Sequence, residues 1–313
     1  MSSPHPAPDA VVRVGTRRSP LARRQAEAVV ELLVSAWSSL SCQVEALDTR
    51  GDRSQESGEP LPAIGGKGLF TAELERALRE REIDVAVHSL KDLPTEETPD
   101  VVLGAVCLRE DARDCVVGRH GALLADLPAG AVVGTSSLRR AAQLRQLYPQ
   151  LEVRSIRGNV DTRIRKVAEG EFEAVVLAAA GVSRLGLDSH VSEWLEPDRM
   201  VPAPGQGALA VQCRAGDDRM LELLGRVDDP TVGAAAAAER TFLRELGGGC
   251  AAPVGAHAVE ARGGVRLVGL VATPDGDEMV RVEGEGAPGE VGARLAREAL
   301  ASGADRILAA VRA

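Results

Sequence analysis

Apolar positions in the first hundred residues form two kinds of pattern, short continuous runs and a helical periodicity. The run DVAVHS is short, continuous and rich in β-branched residues, which predicts a buried strand. From Pro20 to about Trp37 the apolar residues recur at helical spacing, with Ser19 as the N-cap and Pro20 in the first helical position. A second helix is predicted over Thr71–Arg81. Strands that alternate with helices indicate an α/β fold class.

The same alternation continues from about Asp114 to Val201. Candidate strands in this stretch are CVVG, AVVG, LEVRS and EAVVLAA. The segment PAPGQG then interrupts the chain, and the apolar run ALAVQC that follows has no helix partner of its own. We expect this run to return to the first sheet, which makes the first domain discontinuous.

From about Asp228 the pattern changes to that of a small α+β unit. An alanine-rich helix over Ala234–Leu246 is followed by the strands VRLVGLVAT and MVRVEG and by a last helix after Pro288. The sequence therefore predicts three domains, which comprise residues 10–107 with 207–225, residues 113–201, and residues 230–313.

Composition excludes several classes of function. The net charge of -9 and an aromatic content of 2% disfavour a nucleic-acid surface or an anionic membrane surface. Five scattered cysteines without a CxxC pair argue against a disulfide framework and against a zinc site, so no metal is expected. With no secretion signal and no apolar run of membrane-spanning length, we expect a cytoplasmic protein without a membrane partner.

Arginines are concentrated in one window, residues 131–166. Eight basic residues stand there against two acidic ones, a net charge of +6 in a chain that is acidic as a whole. The segment TSSLRR opens a helix after a strand, and RGNVDTR repeats this arrangement with Asn159 as a candidate N-cap. Because a guanidinium pairs a carboxylate with two hydrogen bonds, the window predicts a carboxylate or phosphate site. The alternative is that some of these arginines are solvated charges on helix surfaces.

Three further segments carry candidate chemistry. HSLKDLP places Asp92 directly after a buried strand, where α/β sheets bind ligands, so Asp92 is a candidate for proton transfer or for stabilising a cation. IGGKGLF has glycines around Lys67 and is a candidate lid. GGGC leaves the sulfur of Cys250 accessible. For HSLKDLP the alternative is an ordinary charged turn, for IGGKGLF a flexible loop, and for Cys250 a cysteine without a role in a loop. His88 is interpreted as a structural histidine.

An ordered set of motifs spans nearly the whole chain and resembles the porphobilinogen deaminase family, also called hydroxymethylbilane synthases. The motifs are GTRRSPLA, DTRGD, GGKGLF, VAVHSLKDLP, GTSSLRRAAQL, RSIRGNVDTR, LAAAGVSRLGL, PAPGQGALA, and ERTFLRELGGGC followed by APVGA. Two positions depart from the usual family pattern, Gly247 before the cysteine and Leu90 in HSLKD.

The resemblance implies a fold of three domains: two α/β lobes like those of periplasmic binding proteins around a cleft, and a small C-terminal α+β domain. It implies a transferase of porphyrin, tetrapyrrole and heme biosynthesis that deaminates porphobilinogen and condenses four molecules head to tail. They are added to a dipyrromethane cofactor, which the family joins to a cysteine by a thioether, and hydrolysis releases hydroxymethylbilane. By motif position that cysteine is Cys250.

Further roles follow from the resemblance, residue by residue. Asp92 matches the catalytic aspartate. Cofactor-binding positions are matched by Ser89, Lys91, Thr135, Ser136, Ser137, Arg139, Arg140, Arg163 and Arg184. Substrate-binding positions are matched by Arg17, Ser19, Lys67, Arg157 and Gln206. The competing hypothesis is a non-catalytic two-lobed anion-binding protein, which needs neither Asp92 nor Cys250. For either we expect a monomer.

Overall fold

A computed structural model describes residues 11–51, 71–247 and 252–312. These residues form two compact units. The first comprises the described residues up to Leu108 together with Ala208–Gly233, and the second comprises Arg109–Gly207 together with the described residues from Ala234 onward. Within this part of the chain, no helix is long and apolar enough to cross a membrane.

The described strands, in chain order, are β1 (Val12–Arg17), β2 (Cys42–Leu47), β3 (Val85–Ser89), β4 (Val101–Cys107), β5 (Asp114–Gly118), β6 (Val132–Gly134), β7 (Glu152–Arg154), β8 (Ala174–Ala178), β9 (Glu193–Leu195), β10 (Leu209–Arg214), β11 (Val254–Ala261), β12 (Gly264–Ala272) and β13 (Met279–Gly286). The described α-helices are α1 (Pro20–Ala36), α2 (Ala72–Arg79), α3 (Leu138–Leu147), α4 (Val160–Ala168), α5 (Ala179–Arg184), α6 (Asp218–Gly225), α7 (Pro230–Glu245), α8 (Pro288–Ala299) and α9 (Asp305–Arg312).

The sheet of the first unit has the strand order β2-β1-β3-β10-β4. Strand β1 runs parallel to β2 and β3, whereas β10 runs antiparallel to both of its neighbours. The run ALAVQC therefore joins the first sheet, as its sequence predicted. It does so because β10 is buried along nearly its whole length and needs cover on both faces.

Helices cover both faces of this first sheet. On one face Val29 and Leu33 of α1 pack with Val87 in one apolar cluster, and on the other Leu74 of α2 packs with Ala86. Helix α1 begins where its sequence predicts, because the hydroxyl of Ser19 accepts a hydrogen bond from the amide of Ala22 at 3.3 Å. Both ends of α2 lie within two residues of the prediction.

The main sheet of the second unit has the order β7-β6-β8-β5-β9. Strand β6 is parallel to β7 and β8, and β5 is antiparallel to β8 and β9. The carboxyl ends of β6 and β8 therefore meet the amino end of β5 at one edge. The four predicted strands of this stretch are all present. Strand β9 was not predicted, because three residues are too few to show an alternation.

The second unit also contains the antiparallel sheet β11-β12-β13, covered by α7, α8 and α9. Phe242 of α7 is fully buried, and a Cβ atom on Gly269 of β12 would lie 2.4 Å from its ring, so only glycine fits there. Helix α7 begins at Pro230, earlier than predicted, and β11 was missed because its alanines and glycine weaken the apolar alternation. The predicted fold class, α/β with a small C-terminal α+β module, is confirmed, while the three domain boundaries stay a prediction.

Candidate active site

Polar side chains gather at one edge of the first sheet. Strands β1 and β3 are parallel neighbours with Val14 opposite Val85, so Arg17 and Ser89 end at the same edge. One turn of 3-10 helix after β3 then brings Asp92 to that edge. The residues that line the pocket there are Arg17, Ala22, Gln25, Thr71, Val87, His88, Ser89 and Asp92.

Hydrogen bonds fix part of this pocket. The hydroxyl of Ser89 accepts from Nε2 of Gln25 at 2.8 Å and lies 3.2 Å from its Oε1, which ties β3 to α1. Asp92 and Lys91 are half-buried. The structure thus brings Arg17, Ser89 and Asp92 together in one pocket, while the hydroxyl of Ser19 serves as the N-cap of α1.

His88 lies in the same pocket and is 5% exposed. Burial lowers the pKa of His88 to about 4, and the positive charge of Arg17 acts in the same direction. The imidazole is therefore neutral at neutral pH. This state agrees with a structural histidine, and the side chain of Gln212 on β10, which is hydrogen-bonded to His88, opposes part of that lowering of the pKa.

A buried ionic network occupies the corresponding edge of the second unit. Asp114 begins β5 and is fully buried. Its Oδ2 lies 2.8 Å from Nη1 of Arg139, and its Oδ1 lies 2.7 Å from Nη2 and 3.0 Å from Nε of Arg140. Nε2 of Gln206 also donates to Oδ1, at 2.8 Å. Burial alone would raise the pKa of Asp114, but Arg139 and Arg140 outweigh it and hold that pKa below its usual range.

This network uses part of the positive charge and some of the hydrogen-bond donors of Arg139 and Arg140. Arg139 and Arg140 are 3% and 7% exposed, and both also donate to backbone carbonyls, those of Val201 and Val176. One carboxylate thus neutralises one of two adjacent positive charges. The predicted anion-binding roles of Arg139 and Arg140 stay predictions, and the structure adds that Asp114 holds both side chains in place.

Arg163 presents a different electrostatic situation. It is half-buried, its Nε donates to the carbonyl of Gly158 at 2.8 Å, and no carboxylate among the described residues lies within ion-pair distance. Burial, followed by the charges of Arg140 and Arg157, lowers the pKa of Arg163 to about 10. A cation in this situation is stabilised by an incoming anion. The structure therefore places Arg140, Arg157 and Arg163 in one positively charged region.

Hydroxyl groups and backbone amides at the start of α3 complete this edge. Ser137 accepts from the amide of Arg140 at 3.4 Å and caps the helix, and Thr135 accepts from the amide of Ser137 at 3.2 Å. The hydroxyl of Ser136 lies 2.9 Å from that of Ser155. The expected cap of α4 is wrong in one respect. Asn159 is in the N-cap position, but its side chain makes no capping hydrogen bond.

Hydrogen bonds hold the segment PAPGQG to neighbouring parts of the second unit. Nη2 of Arg184, at the end of α5, donates to the carbonyl of Gly207 at 2.7 Å. The side-chain nitrogen of Gln206, Nε2, also donates to the carbonyls of Ala112 and Arg113, at 2.8 and 3.1 Å. Both predicted ligand-binding residues thus also fasten this segment to neighbouring backbone.

Two predicted site residues, Lys67 and Cys250, lie outside the described residues. Of the other four cysteines, Cys107, Cys115 and Cys213 are buried, and Cys42 is half-buried. Burial raises the pKa of Cys115 to about 12 and that of Cys213 to about 11, and it also raises the pKa of Cys42. A higher thiol pKa means less thiolate, so these three are poor nucleophiles.

Sequence reasoning missed Asp114 and gave no role to Thr71. Asp114 stands outside the arginine window, so a charge count over the window could not reveal it. Its signal is an acidic residue at the first position of a fully buried strand, where an unpaired charge is very costly. That signal predicts a buried cation nearby.

The fold and these two sheet edges define an α/β protein with buried arginines at the edge of one sheet and a carboxylate in a polar pocket at the edge of the other. Comparison with known families identifies it further. Residues 12–222 match the model of the porphobilinogen deaminase dipyromethane cofactor binding domain, and residues 234–301 match the porphobilinogen deaminase C-terminal domain. The chain belongs to the porphobilinogen deaminase family, so the prediction from its motifs is confirmed.

Curated relatives agree over almost the full length. The chain is 48% identical to the porphobilinogen deaminase of Roseiflexus castenholzii over 299 residues, which cover 95% of this chain and 98% of the relative. It is 47% identical to that of Thermus thermophilus over 306 residues, 96% and 99% of the two chains.

Solved structures with similar folds are more distant. The periplasmic VFT2 domain of BvgS from Bordetella pertussis matches at a TM-score of 0.39 and 17% identity, over 69% of this chain and 86% of that one. A nutrient binding protein from Burkholderia cenocepacia bound to methionine matches at a TM-score of 0.43 and 14% identity, over 71% and 93%.

Proposed function

We propose that this chain deaminates porphobilinogen and condenses four molecules head to tail on a dipyrromethane primer, releasing hydroxymethylbilane by hydrolysis. The observation that carries this proposal is Arg163, a half-buried cation beside Arg140 and Arg157 without a carboxylate partner among the described residues. Each porphobilinogen ring brings two carboxylates, so a growing chain is a polyanion that needs such cations. Membership of the porphobilinogen deaminase family supplies the reaction.

The residues fit a dipyrromethane group, because the second unit offers guanidinium, hydroxyl and amide donors to carboxylates. When bound, this cofactor supplies the pyrrole carbon to which the first substrate is joined. We propose that Cys250 holds it through a thioether. The residues proposed to bind its carboxylates and rings are Ser89, Lys91, Thr135, Ser136, Ser137, Arg139, Arg140, Arg163 and Arg184.

Asp92 is the proposed catalytic residue. A positive charge develops on the substrate pyrrole as ammonia leaves, and a carboxylate stabilises that charge and accepts the ring proton released after condensation. The pocket that Asp92 shares with Arg17 has the polar lining this step requires. Arg17, Ser19, Lys67, Arg157 and Gln206 are the proposed substrate contacts.

We further propose that the protein acts as a cytoplasmic monomer without nucleic-acid or membrane partners. The net charge of -9 supports this, since polyanionic surfaces repel an acidic protein. Sedimentation of the purified protein at micromolar concentration should give the mass of one chain.

Turnover separates this proposal from a non-catalytic anion-binding protein. The purified protein is incubated with porphobilinogen, and ammonia release and substrate consumption are followed. We expect both with the wild type, a loss of at least a hundredfold in Asp92→Asn, and no change in the exposed control Asp126→Asn. Tight binding of porphobilinogen without ammonia release would support the binding protein instead.

A further inference from the structure

A backbone carbonyl orients the guanidinium of Arg163. Nε of Arg163 donates to the carbonyl oxygen of Gly158 at 2.8 Å, and the backbone amide of Arg163 donates to the carbonyl of the next residue, Asn159, at 3.0 Å. Two successive carbonyls thus hold both the side chain and the backbone of one arginine. Because Asn159 is in the N-cap position of α4, this arrangement holds the guanidinium at the start of that helix.

The backbone at Gly158 has a conformation that only glycine adopts readily. Its φ is +112°, a value that residues with a Cβ atom rarely adopt. A Cβ atom at this position would also lie 2.7 Å from Cγ2 and 2.9 Å from Cβ of Thr162, in the first turn of α4. The direction of the Gly158 carbonyl therefore depends on the absence of a side chain at this position.

The hydrogen bond to Gly158 decides which donors of Arg163 a ligand can use. A guanidinium carries N–H groups on Nε and on the two terminal nitrogens, Nη1 and Nη2. Nε is engaged, whereas neither terminal nitrogen makes a hydrogen bond or an ion pair with any residue that the structure describes. One N–H on each terminal nitrogen points in the same direction, so the two together can bind both oxygens of a single carboxylate.

A carbonyl oxygen orients a guanidinium without cancelling its charge. Arg139 and Arg140 are held by the carboxylate of Asp114, which neutralises one of their two charges. The carbonyl of Gly158 is uncharged, so it leaves the positive charge of Arg163 for a ligand. Burial, followed by the charge of Arg140, lowers the pKa of Arg163 to about 10. A carboxylate that meets Nη1 and Nη2 therefore supplies the counter-charge that the described neighbours of Arg163 do not.

We propose that Gly158 is a positioning residue whose carbonyl turns Nη1 and Nη2 of Arg163 toward one carboxylate of the bound primer, an acetate or propionate group on a pyrrole ring. The inference rests on the proposed function, because it takes the pyrrole primer as the ligand. Arg140 and Arg157 lie close enough for their charges to act on Arg163, so they attract the same carboxylate. The orientation of Arg163, and not only its charge, then determines how well the primer is held.

The test measures whether Gly158 acts through Arg163. Intact mass gives the fraction of purified chains that carry the primer in the wild type, in Gly158→Ala, in Arg163→Met and in the double variant. We expect this fraction to fall about fivefold in Gly158→Ala, as for the net loss of one hydrogen bond. In the double variant it should be no lower than in Arg163→Met, because the carbonyl then has no guanidinium to orient. A Gly158→Ala effect that persists in full in the Arg163→Met background overturns the inference.

Gly130→Ala is the matched backbone control. Gly130 also lies in the second unit and has a positive φ, +79°, but a Cβ atom there would have no contact within 4 Å among the described residues. Gly130→Ala should leave the fraction of chains with primer unchanged. An equal loss in Gly130→Ala and Gly158→Ala would assign the effect to backbone strain in general, which also overturns the inference.

Arg163→Lys tests the inference without any change at Gly158. Lysine keeps the positive charge but has neither an Nε donor nor the planar fork. We expect Arg163→Lys to lose primer as Arg163→Met does, and a wild-type fraction in Arg163→Lys would show that charge alone suffices.

A crystal structure of the wild type with its primer provides the direct view. Nη1 and Nη2 of Arg163 should each lie about 3 Å from an oxygen of one primer carboxylate, with Nε still bound to the carbonyl of Gly158. A carboxylate bound to Nε in place of that carbonyl overturns the inference. If the wild type carries no primer and releases no ammonia from porphobilinogen, the proposed function itself fails. A loaded and active wild type with any of the contrary results contradicts the role of Gly158 alone.

Discussion

Arg139 and Asp114 form an ion pair that is almost completely buried, with Nη1 of the arginine 2.8 Å from Oδ2 of the aspartate. The other oxygen of the same carboxylate receives Arg140 and Gln206. Removing one partner of such a pair leaves an uncompensated buried charge, whereas removing an exposed pair changes little. Asp114 is therefore the residue on which the geometry of both arginines depends.

Asp114→Asn should lower the free energy of unfolding by about 3–5 kcal/mol, because two buried guanidiniums lose their counter-charge. Chemical denaturation measures the change. Asp111→Asn is the matched control, since Asp111 pairs with Arg113 in a more exposed position and should cost less than about 1 kcal/mol. Equal losses in the two variants would show that Asp114 does not hold the network.

Arg163 should matter to the bound primer more than to the fold. Arg163→Met removes a cation without a carboxylate partner among the described residues, so the unfolding free energy should change by less than about 1 kcal/mol. The fraction of purified chains that carry the primer should fall about tenfold, as expected for a lost charge-assisted hydrogen bond. Intact mass measures that fraction. The neighbouring Arg165→Met, an exposed residue paired with Glu169, should leave it unchanged, and an equal effect would contradict the role of Arg163.

His88 should make stability depend on pH on the acid side. Its folded-state pKa, about 4, lies below the ordinary value of 6.5, so its contribution is complete above about pH 6.5 and is lost as the pH falls toward 4. The loss is at most about 3 kcal/mol. Asp114, whose pKa is also lowered, adds a further loss below about pH 4.

Unfolding free energies at several pH values between 4 and 7 check this prediction. In His88→Gln the curve should be flatter over that range than in the wild type. Parallel curves for the two proteins would mean that His88 does not titrate with the folded state as proposed.

Gly269→Ala should destabilise the C-terminal module, because the new Cβ would lie 2.4 Å from the ring of Phe242. Overpacking of this kind costs about 1–3 kcal/mol. Adding Phe242→Leu to Gly269→Ala should recover part of the loss, although Phe242→Leu alone destabilises. Thermal unfolding of the wild type, the two single variants and the double variant gives the coupling energy between the two positions. Strict additivity of the two substitutions would contradict the contact.

The sequence predicted the elements with strong local signals. Ser19 and Pro20 located the start of α1, and the continuous apolar run before Asp92 located β3 and its catalytic candidate. Strand β9 and the alanine-rich β11 were missed, because a strand of three residues and a weak alternation carry little periodic signal.

The edge of the sheet at which the pocket lies was predictable, although its residues come from two motifs, GTRRSP and HSLKDLP. Arg17, Ser89 and Asp92 converge because their strands are parallel neighbours, which the α/β pattern implies. Asp114 was not predictable from the arginine window, since its partners come from α3 and from the segment after β9. Nor do motif positions reveal hydrogen bonds that are left unmade, such as that of Thr71, because these depend on packing in three dimensions.

We propose that Cys250 carries a primer of two linked pyrrole units, and intact mass spectrometry of the purified protein tests this attachment most directly. The wild type and the control Cys42→Ser should both exceed their sequence masses by that increment, whereas Cys250→Ser should match its sequence mass and release no ammonia from porphobilinogen. An unmodified wild type that nevertheless turns over porphobilinogen, or a Cys250→Ser protein that keeps the increment, would contradict the account.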